Sequence, residues 1–184
     1  MERKCEGPNR VCVVENGILK YMPVSKFVII PRTVKVICGD VEPEDVGNLK
    51  YGDGCFYMCF TGNKELLQVE CPNTVEVIGE KAFENCSKLT NFIFVKTGKQ
   101  SLKKIGLSAF NNCVGMQKII LPNTLEEIGC WAFAGIPKLV IEFEGTLEEW
   151  NKIEKGCDLS KDDWMPDVLT LNTKDSTIKL FRKK

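Results

Sequence analysis

Between residues 66 and 143 hydrophobic and polar positions alternate in short runs that return in the same order. The runs "LTNFIF" (89–94), "MQKIIL" (116–121) and "LVIEF" (139–143) place β-branched, aliphatic or aromatic residues at close to period two, which predicts strands. In the spacing L-x-x-I-x-L the first, fourth and sixth side chains point inward. That buries Leu66, Val69 and Cys71, then Leu89, Phe92 and Phe94, then Met116, Ile119 and Leu121. It leaves outside Leu67, Gln68 and Glu70, then Thr90, Asn91 and Ile93, then Gln117, Lys118 and Ile120. The last strand is one residue shorter and exposes Val140 and Glu142, while Ile29 extends the outer row at the N-terminal end. The proline of "LPNT" ends a strand in a turn. "TVEVIG" and "TLEEIG" then predict a second, short extended piece that Gly79, Gly106 and Gly129 break, and "EKAFENC" predicts one turn of helix or a tight bend.

These pieces are one repeat. Aligned on Ala-Phe, the copies begin "PNTVEVIGEKAFENC" at Pro72, "KQSLKKIGLSAFNNC" at Lys99 and "PNTLEEIGCWAFAGI" at Pro122. A broken earlier copy reads "PRTVKVI" from Pro31 and resumes with "GCFYMCF" from Gly54. The alanine column is then Cys55, Ala82, Ala109 and Ala132, and the phenylalanine column Phe56, Phe83, Phe110 and Phe133. Their separations of 27, 27 and 23 give a unit of 23 residues, with extra residues near 62–64 and 97–99. A unit this short cannot bury its own apolar side and must stack on its neighbours. Each position becomes a column, spaced by about 5 Å where strands pair, and small Ala beside large Phe suits a tight interior turn.

The pattern P-x-[ST]-[VL]-x-x-I-G-x-x-A-F-x-x-C-x-x-L-x-x-I-x-[IL], carried best by "PNTVEVIGEKAFENCSKLTNF" and "PNTLEEIGCWAFAGIPKLV", resembles the BspA-like leucine-rich repeats over about residues 13–178. "VENGILKY" (14–21) resembles the family's opening segment and "EGTLEEWNKI" (144–153) its closing module. The resemblance implies an α/β repeat solenoid of leucine-rich-repeat type, about four coils with caps. Its parallel sheet lies on one face and short extended and helical turns on the other. The expected division is an N-terminal cap over 1–30, a solenoid over 31–143 with an insertion at 39–54, and a C-terminal cap of helix plus hairpin over 144–184. The resemblance also implies adhesion or protein contact at a cell surface. The chain departs from the pattern at 38–53, at Ile136 in place of the column cysteine, and at Lys99 in place of proline.

The ends fit caps. Thr146 can N-cap a helix and Glu149 complete a capping box, with Leu147, Trp150 and Ile153 on one face covering the last repeat. "VLTLN" (168–172) and "STIKLF" (176–181) predict a hairpin, with Trp164 packed beneath it. The insertion carries Asp40, Glu42, Glu44, Asp45 and Asp53 against Lys50. A calcium loop would need the spacing D-x-[DN]-x-[DN]-G, which is missing, and a solvated acidic loop is the expectation.

Composition narrows the chemistry. The 184 residues carry 25 Lys plus Arg and 25 Asp plus Glu. A neutral chain projects no broad field toward nucleic acid or anionic lipid. The absence of histidine removes Ser-His and Cys-His catalysis and the commonest metal ligand. No run of about 18 apolar residues exists to span a membrane, and "MERKCEGPNR" has no apolar stretch of leader type. The ten cysteines show no CxxC, the closest pairs being Cys5/Cys12 and Cys55/Cys59, which disfavours a thiolate zinc site. A disulfide framework would require export; buried, reduced thiols acting as small hydrophobes are the plainer expectation. Cys59, Cys86 and Cys113 form a column facing inward, where a thiol reacts poorly. Cys130 beside Trp131 is expected nearer the surface, without a base. The pair Asp162–Asp163 reads as a solvated turn, and the Asn85-Cys86-Ser87 sequon falls in the tight bend.

No catalytic, cofactor or metal residue is identified. The expectation is a non-catalytic module, a monomer, that contacts another protein or a surface glycan, with no nucleic acid and no membrane insertion. The candidate contact residues are Ile29, Leu67, Gln68, Glu70, Thr90, Asn91, Ile93, Gln117, Lys118, Ile120 and Glu142. Ile29, Ile93 and Ile120 would form an apolar patch with a polar rim, or serve only as strand formers. The alternatives are a small carboxylate- or thiol-dependent enzyme with a pocket beside the 39–54 insertion, and a structural spacer. Compartment stays open: the resemblance implies a cell-surface or secreted protein, and this chain shows no leader.

Overall fold

The computed structural model describes residues 5–7, 10–21, 25–37, 60–156 and 164–182. The readings for Cys38, Cys55, Phe56, Cys59, the acidic insertion and Asp162–Asp163 lie outside these residues. In chain order the elements are β1 (Cys5–Gly7), β2 (Arg10–Glu15), β3 (Ile18–Tyr21), β4 (Phe27–Ile29), β5 (Val36–Ile37), β6 (Gln68–Cys71), β7 (Val77–Ile78) and β8 (Asn91–Phe94). There follow β9 (Lys104–Ile105), β10 (Lys118–Leu121), β11 (Glu127–Ile128), β12 (Leu139–Phe143), α1 (Leu147–Lys152), β13 (Glu154–Lys155), β14 (Val168–Asn172) and β15 (Thr177–Phe181).

Successive repeats contribute one strand to each of two sheets. The first runs β1-β2-β3-β5-β7-β9-β11-β13 and the second β15-β14-β12-β10-β8-β6-β4. The repeat strands are parallel in both: Gln68 pairs with Asn91, Asn91 with Lys118, and Lys118 with Val140. Antiparallel pairs occur at the ends, β2 with β3 and β14 with β15. Asn16 and Gly17, both at positive φ (50° and 82°), turn the chain between β2 and β3. That is the conformation a two-residue type I′ hairpin requires.

Between the sheets lies one apolar interior. The nine side chains read as inward are all buried, none more than 8% exposed. Phe60, Phe83, Phe110 and Phe133 stack face to face with centroids 4.8, 5.3 and 5.5 Å apart, and Phe92 meets Phe83 and Phe110 edge-on. Ala82, Ala109 and Ala132 are fully buried beside them. Gly129 is required by the approach of two backbones: a Cβ there would lie 2.7 Å from the Leu107 nitrogen.

Among the described residues the aromatic column begins at Phe60. Its nitrogen bonds the Ala82 carbonyl (3.1 Å) as that of Phe83 bonds Ala109 (2.8 Å). The spacing of the aromatic column is therefore 23, 27 and 23, and the extra residues near 62–64 expected from the sequence are not there. In this register the position one repeat before Cys86 is Asn63.

The chain is mostly strand, and α1 is the one helix among the described residues, where the sequence suggested an α/β fold with helical turns. The reason is visible in "EKAFENC". Its alternate amides leave the segment: Lys81, Phe83 and Asn85 donate to Leu107, Ala109 and Asn111 of the next repeat (each 2.8 Å). Ala82, Glu84 and Cys86 donate three residues back instead. Lys81 and Asn85 sit at positive φ (54° and 59°), which interrupts a right-handed helix at both places. The segment is thus a turn-rich third ladder between repeats.

After β12, the capping box forms as expected: Thr146 Oγ1 accepts from the Glu149 nitrogen (3.2 Å) and Glu149 Oε2 from the Thr146 nitrogen (2.8 Å). Such a cap contributes about 1 kcal/mol. Trp150 and Ile153 are buried and Leu147 packs partly against the interior. Trp164 packs against Phe133 (6.5 Å) and Trp150 (5.9 Å), and its carbonyl accepts from Phe133, continuing the third ladder.

Candidate functional site

The outer face of the second sheet holds all eleven candidate residues, on or directly beside its strands. One row, set by strand register, runs Ile29, Glu70, Ile93 and, one pair beyond Ile119–Phe92, Ile120, then Glu142 and Asn172. A second row runs Phe27, Gln68, Asn91, Lys118 and Val140. Ile29 and Ile93 are 67% and 43% exposed, and Ile120 is half-buried. Thr90, Asn91, Gln117 and Lys118 are exposed; Leu67, Gln68, Glu70 and Glu142 are half-buried. Phe27, 63% exposed, belongs to this face and was not among the residues read from the sequence, although it lies two residues before Ile29.

Local hydrogen bonds fix the polar members. Thr90 Oγ1 donates to the Leu67 carbonyl (3.1 Å), and Asn91 Nδ2 donates to Thr90 Oγ1 (3.3 Å). Lys118 Nζ lies 2.6 Å from Glu142.

Beside Ile93 and Ile120 the face dips into a groove of about 400 Å³, lined also by Phe92, Phe94, Val95 and Pro122. Glu70, Lys96, Gln100 and Glu144 rim it. Its wall is the longer loop that the 27-residue spacing announces near residues 97–99. Gln100 Nε2 donates to the Val95 carbonyl (3.0 Å), and Lys96 pairs with Glu144 (3.3 Å). The groove itself was not legible in the sequence.

The outer face of the first sheet differs. Lys35 pairs with Glu76 (3.2 Å), Lys103 with Glu126 (3.8 Å) and Lys104 with Glu127 (3.2 Å). Charges there answer one another along the columns, and no large apolar side chain is exposed among the described residues of its repeat strands.

Cys71, Cys86 and Cys113 are free and buried. Cys86 Sγ donates to the Phe60 carbonyl (3.0 Å) and Cys113 Sγ to the Phe83 carbonyl (3.1 Å). Burial pushes the Cys86 thiol up to about 12 and raises Cys71 and Cys113 well above the usual range. Cys130, read as nearer the surface and without a base, is half-buried and disulfide-bonded. Among the described residues no group of three or more Cys, Asp or Glu could hold a metal ion, and no helix is long and apolar enough to cross a membrane.

Residues 51–157 match the family model described as a BspA type leucine rich repeat region of six copies. No match to a curated protein was found. Among solved structures, the chain is similar to the pneumococcal vaccine antigen PcpA, at 21% identity and a TM-score of 0.48. That likeness covers 88% of this chain and 45% of the other. It is also similar to the T. pallidum leucine rich repeat protein TpLRR, at 19% identity and a TM-score of 0.46, covering 93% and 83%. A leucine-rich repeat protein from Bacteroides ovatus gives 19% identity and 0.41, covering 84% and 45%. The chain thus spans less than half the length of two of these three structures. The matched segment takes in the stacked phenylalanines, the parallel strands and the turn ladder, and the chain belongs to the BspA-type leucine-rich repeat family.

Proposed function

We propose that the chain is a non-catalytic module, a solenoid of about four coils closed by a cap at each end, that contacts another protein through the outer face of its second sheet. One observation carries this reading. The two outer faces are built by the same repeats, yet the first is laced by paired charges while the second leaves Phe27, Ile29 and Ile93 exposed around an apolar groove. Large exposed apolar groups rimmed by polar ones mark contact surfaces. Strand propensity alone does not explain the contrast, since both sheets need strand formers and, among the described residues of the repeat strands, only one exposes them. The disulfide at Cys130 supports an oxidising location, as on a cell surface or in secretion.

The test is a double variant, Ile93→Asp with Ile120→Asp. Exposed strand substitutions cost about 1 kcal/mol or less each, so the circular-dichroism melt should stay within a few degrees of the parent. Proteins retained from the source proteome by the immobilised parent should be lost by the variant. Retention of the same proteins at the same level by both would eliminate this face as the site.

A further inference from the structure

Of the carboxylates on this face, Glu142 in the row is held by Lys118 (2.6 Å) and Glu144 on the groove rim by Lys96 (3.3 Å). Glu70 has no cation among the described residues. It is half-buried between Ile29 and Ile93 in the row, and its carboxylate takes one long hydrogen bond, from Gln68 Nε2 at 3.4 Å. A carboxylate partly withdrawn from water gains more from an arriving cation than one already neutralised by a neighbour.

We propose that the groove takes an extended peptide segment of the partner, with an aliphatic or aromatic side chain over Ile93 and Ile120 and a lysine or arginine two residues away against Glu70. The inference rests on the reading of this face as a protein contact. The spacing follows from sheet geometry. Neighbouring strands lie about 4.8 Å apart, so the midpoint between Ile93 and Ile120 is about 7 Å from the position of Glu70 along the row. Residues i and i+2 of an extended peptide are about 6.6 Å apart on one face. A peptide crossing the strands therefore reaches both places with one residue skipped. The Val95–Gln100 side walls the groove, which favours a narrow chain. Of the lining residues outside the core, Ile93, Val95, Ile120 and Pro122 carry no side-chain hydrogen-bonding group, a poor match for a sugar and a good one for an apolar side chain.

The experiment is selection of a phage-displayed random heptapeptide library on the folded full chain, followed by fluorescence anisotropy of the enriched peptides. The proteins are the parent, Glu70→Gln, Glu70→Lys and the Ile93→Asp/Ile120→Asp double variant, each checked by thermal melt. Enriched peptides should share an apolar residue and a Lys or Arg separated by one position. Glu70→Gln should weaken them about threefold to tenfold, an effect of partly buried pairing that shrinks at high salt. Glu70→Lys should weaken them further and prefer peptides in which the cation is replaced by Asp or Glu. Peptides that need Ile93 and Ile120 but carry no cation, or bind Glu70→Gln unchanged, overturn this inference while the contact face stands. Peptides that bind the double-isoleucine variant as tightly as the parent overturn both. Saturable binding of an immobilised glycan in place of any peptide overturns the peptide assignment.

Discussion

Phe110 is the strongest single test of the interior. It is fully buried, stacked between Phe83 (5.3 Å, 4° between planes) and Phe133 (5.5 Å, 2°), and meets Phe92 edge-on at 5.1 Å. A buried Phe→Ala change ordinarily costs about 3–5 kcal/mol through lost burial and the cavity left behind. Each aromatic pair adds about 0.5–1.5 kcal/mol beyond its area. With three ring partners, Phe110→Ala belongs at the upper end, about 4–5 kcal/mol, against a total stability of about 5–15 kcal/mol for a domain. Urea unfolding followed by far-ultraviolet circular dichroism reads this directly. With a slope near 2 kcal/mol per molar urea, the midpoint should fall by about 2 M. Phe60, with Phe83 as its one ring partner among the described residues, should cost less when truncated. Phe181, 64% exposed, should change stability by about 0.5 kcal/mol at most. A Phe110→Ala midpoint indistinguishable from that of Phe181→Ala would show that the aromatic stack is not the core of this fold.

Gly129→Ala should lower stability by about 1–3 kcal/mol through overpacking, because the new methyl would meet the Leu107 nitrogen at 2.7 Å and the Gly106 carbonyl carbon at 2.8 Å. A thermal melt shifted upward, as Gly→Ala gives where space is open, would refute the close approach of the repeats there. The buried thiols predict a pH dependence. Cys86 is raised from 9.0 to about 12, and Cys71 and Cys113 are also raised. The stability held by keeping them neutral is full below about pH 9 and is lost as pH climbs toward the folded values. Each contributes a slope of about 1.4 kcal/mol per pH unit over that window. Denaturant midpoints from pH 8 to 10.5 should fall more steeply for the parent than for a Cys71→Val, Cys86→Ala, Cys113→Ala variant; equal slopes would contradict the burial.

Period-two alternation carried the strand interiors. Phe92 and Phe94 had to point one way and Asn91 and Ile93 the other, because a strand leaves no other choice. The capping box at Thr146 and Glu149 was legible for the same reason: its two hydrogen bonds join residues three apart. The first repeat was not. "GCFYMCF" offers two Cys-Phe pairs four residues apart, and nothing local prefers one. The choice fell to Phe60 because its ring and amide meet Phe83 and Ala82 of the next repeat. The cysteine column likewise gained a meaning only in three dimensions. Ile136 shows that the position accepts a plain hydrophobe, yet the thiols of Cys86 and Cys113 also bond a carbonyl one repeat away.

The sequence by itself therefore determined the repeat, the inward and outward sides of each strand, and the closing helix, since all three rest on contacts between residues near in the chain or on a fixed period. Only the tertiary structure decided the register of the broken first repeat, the turn ladder in place of helix, and the groove beside Ile93 and Ile120. Among the described residues it also left Glu70 without the cation that Glu142 and Glu144 each have. Those depend on side chains more than 20 residues apart, whose distances no local pattern encodes.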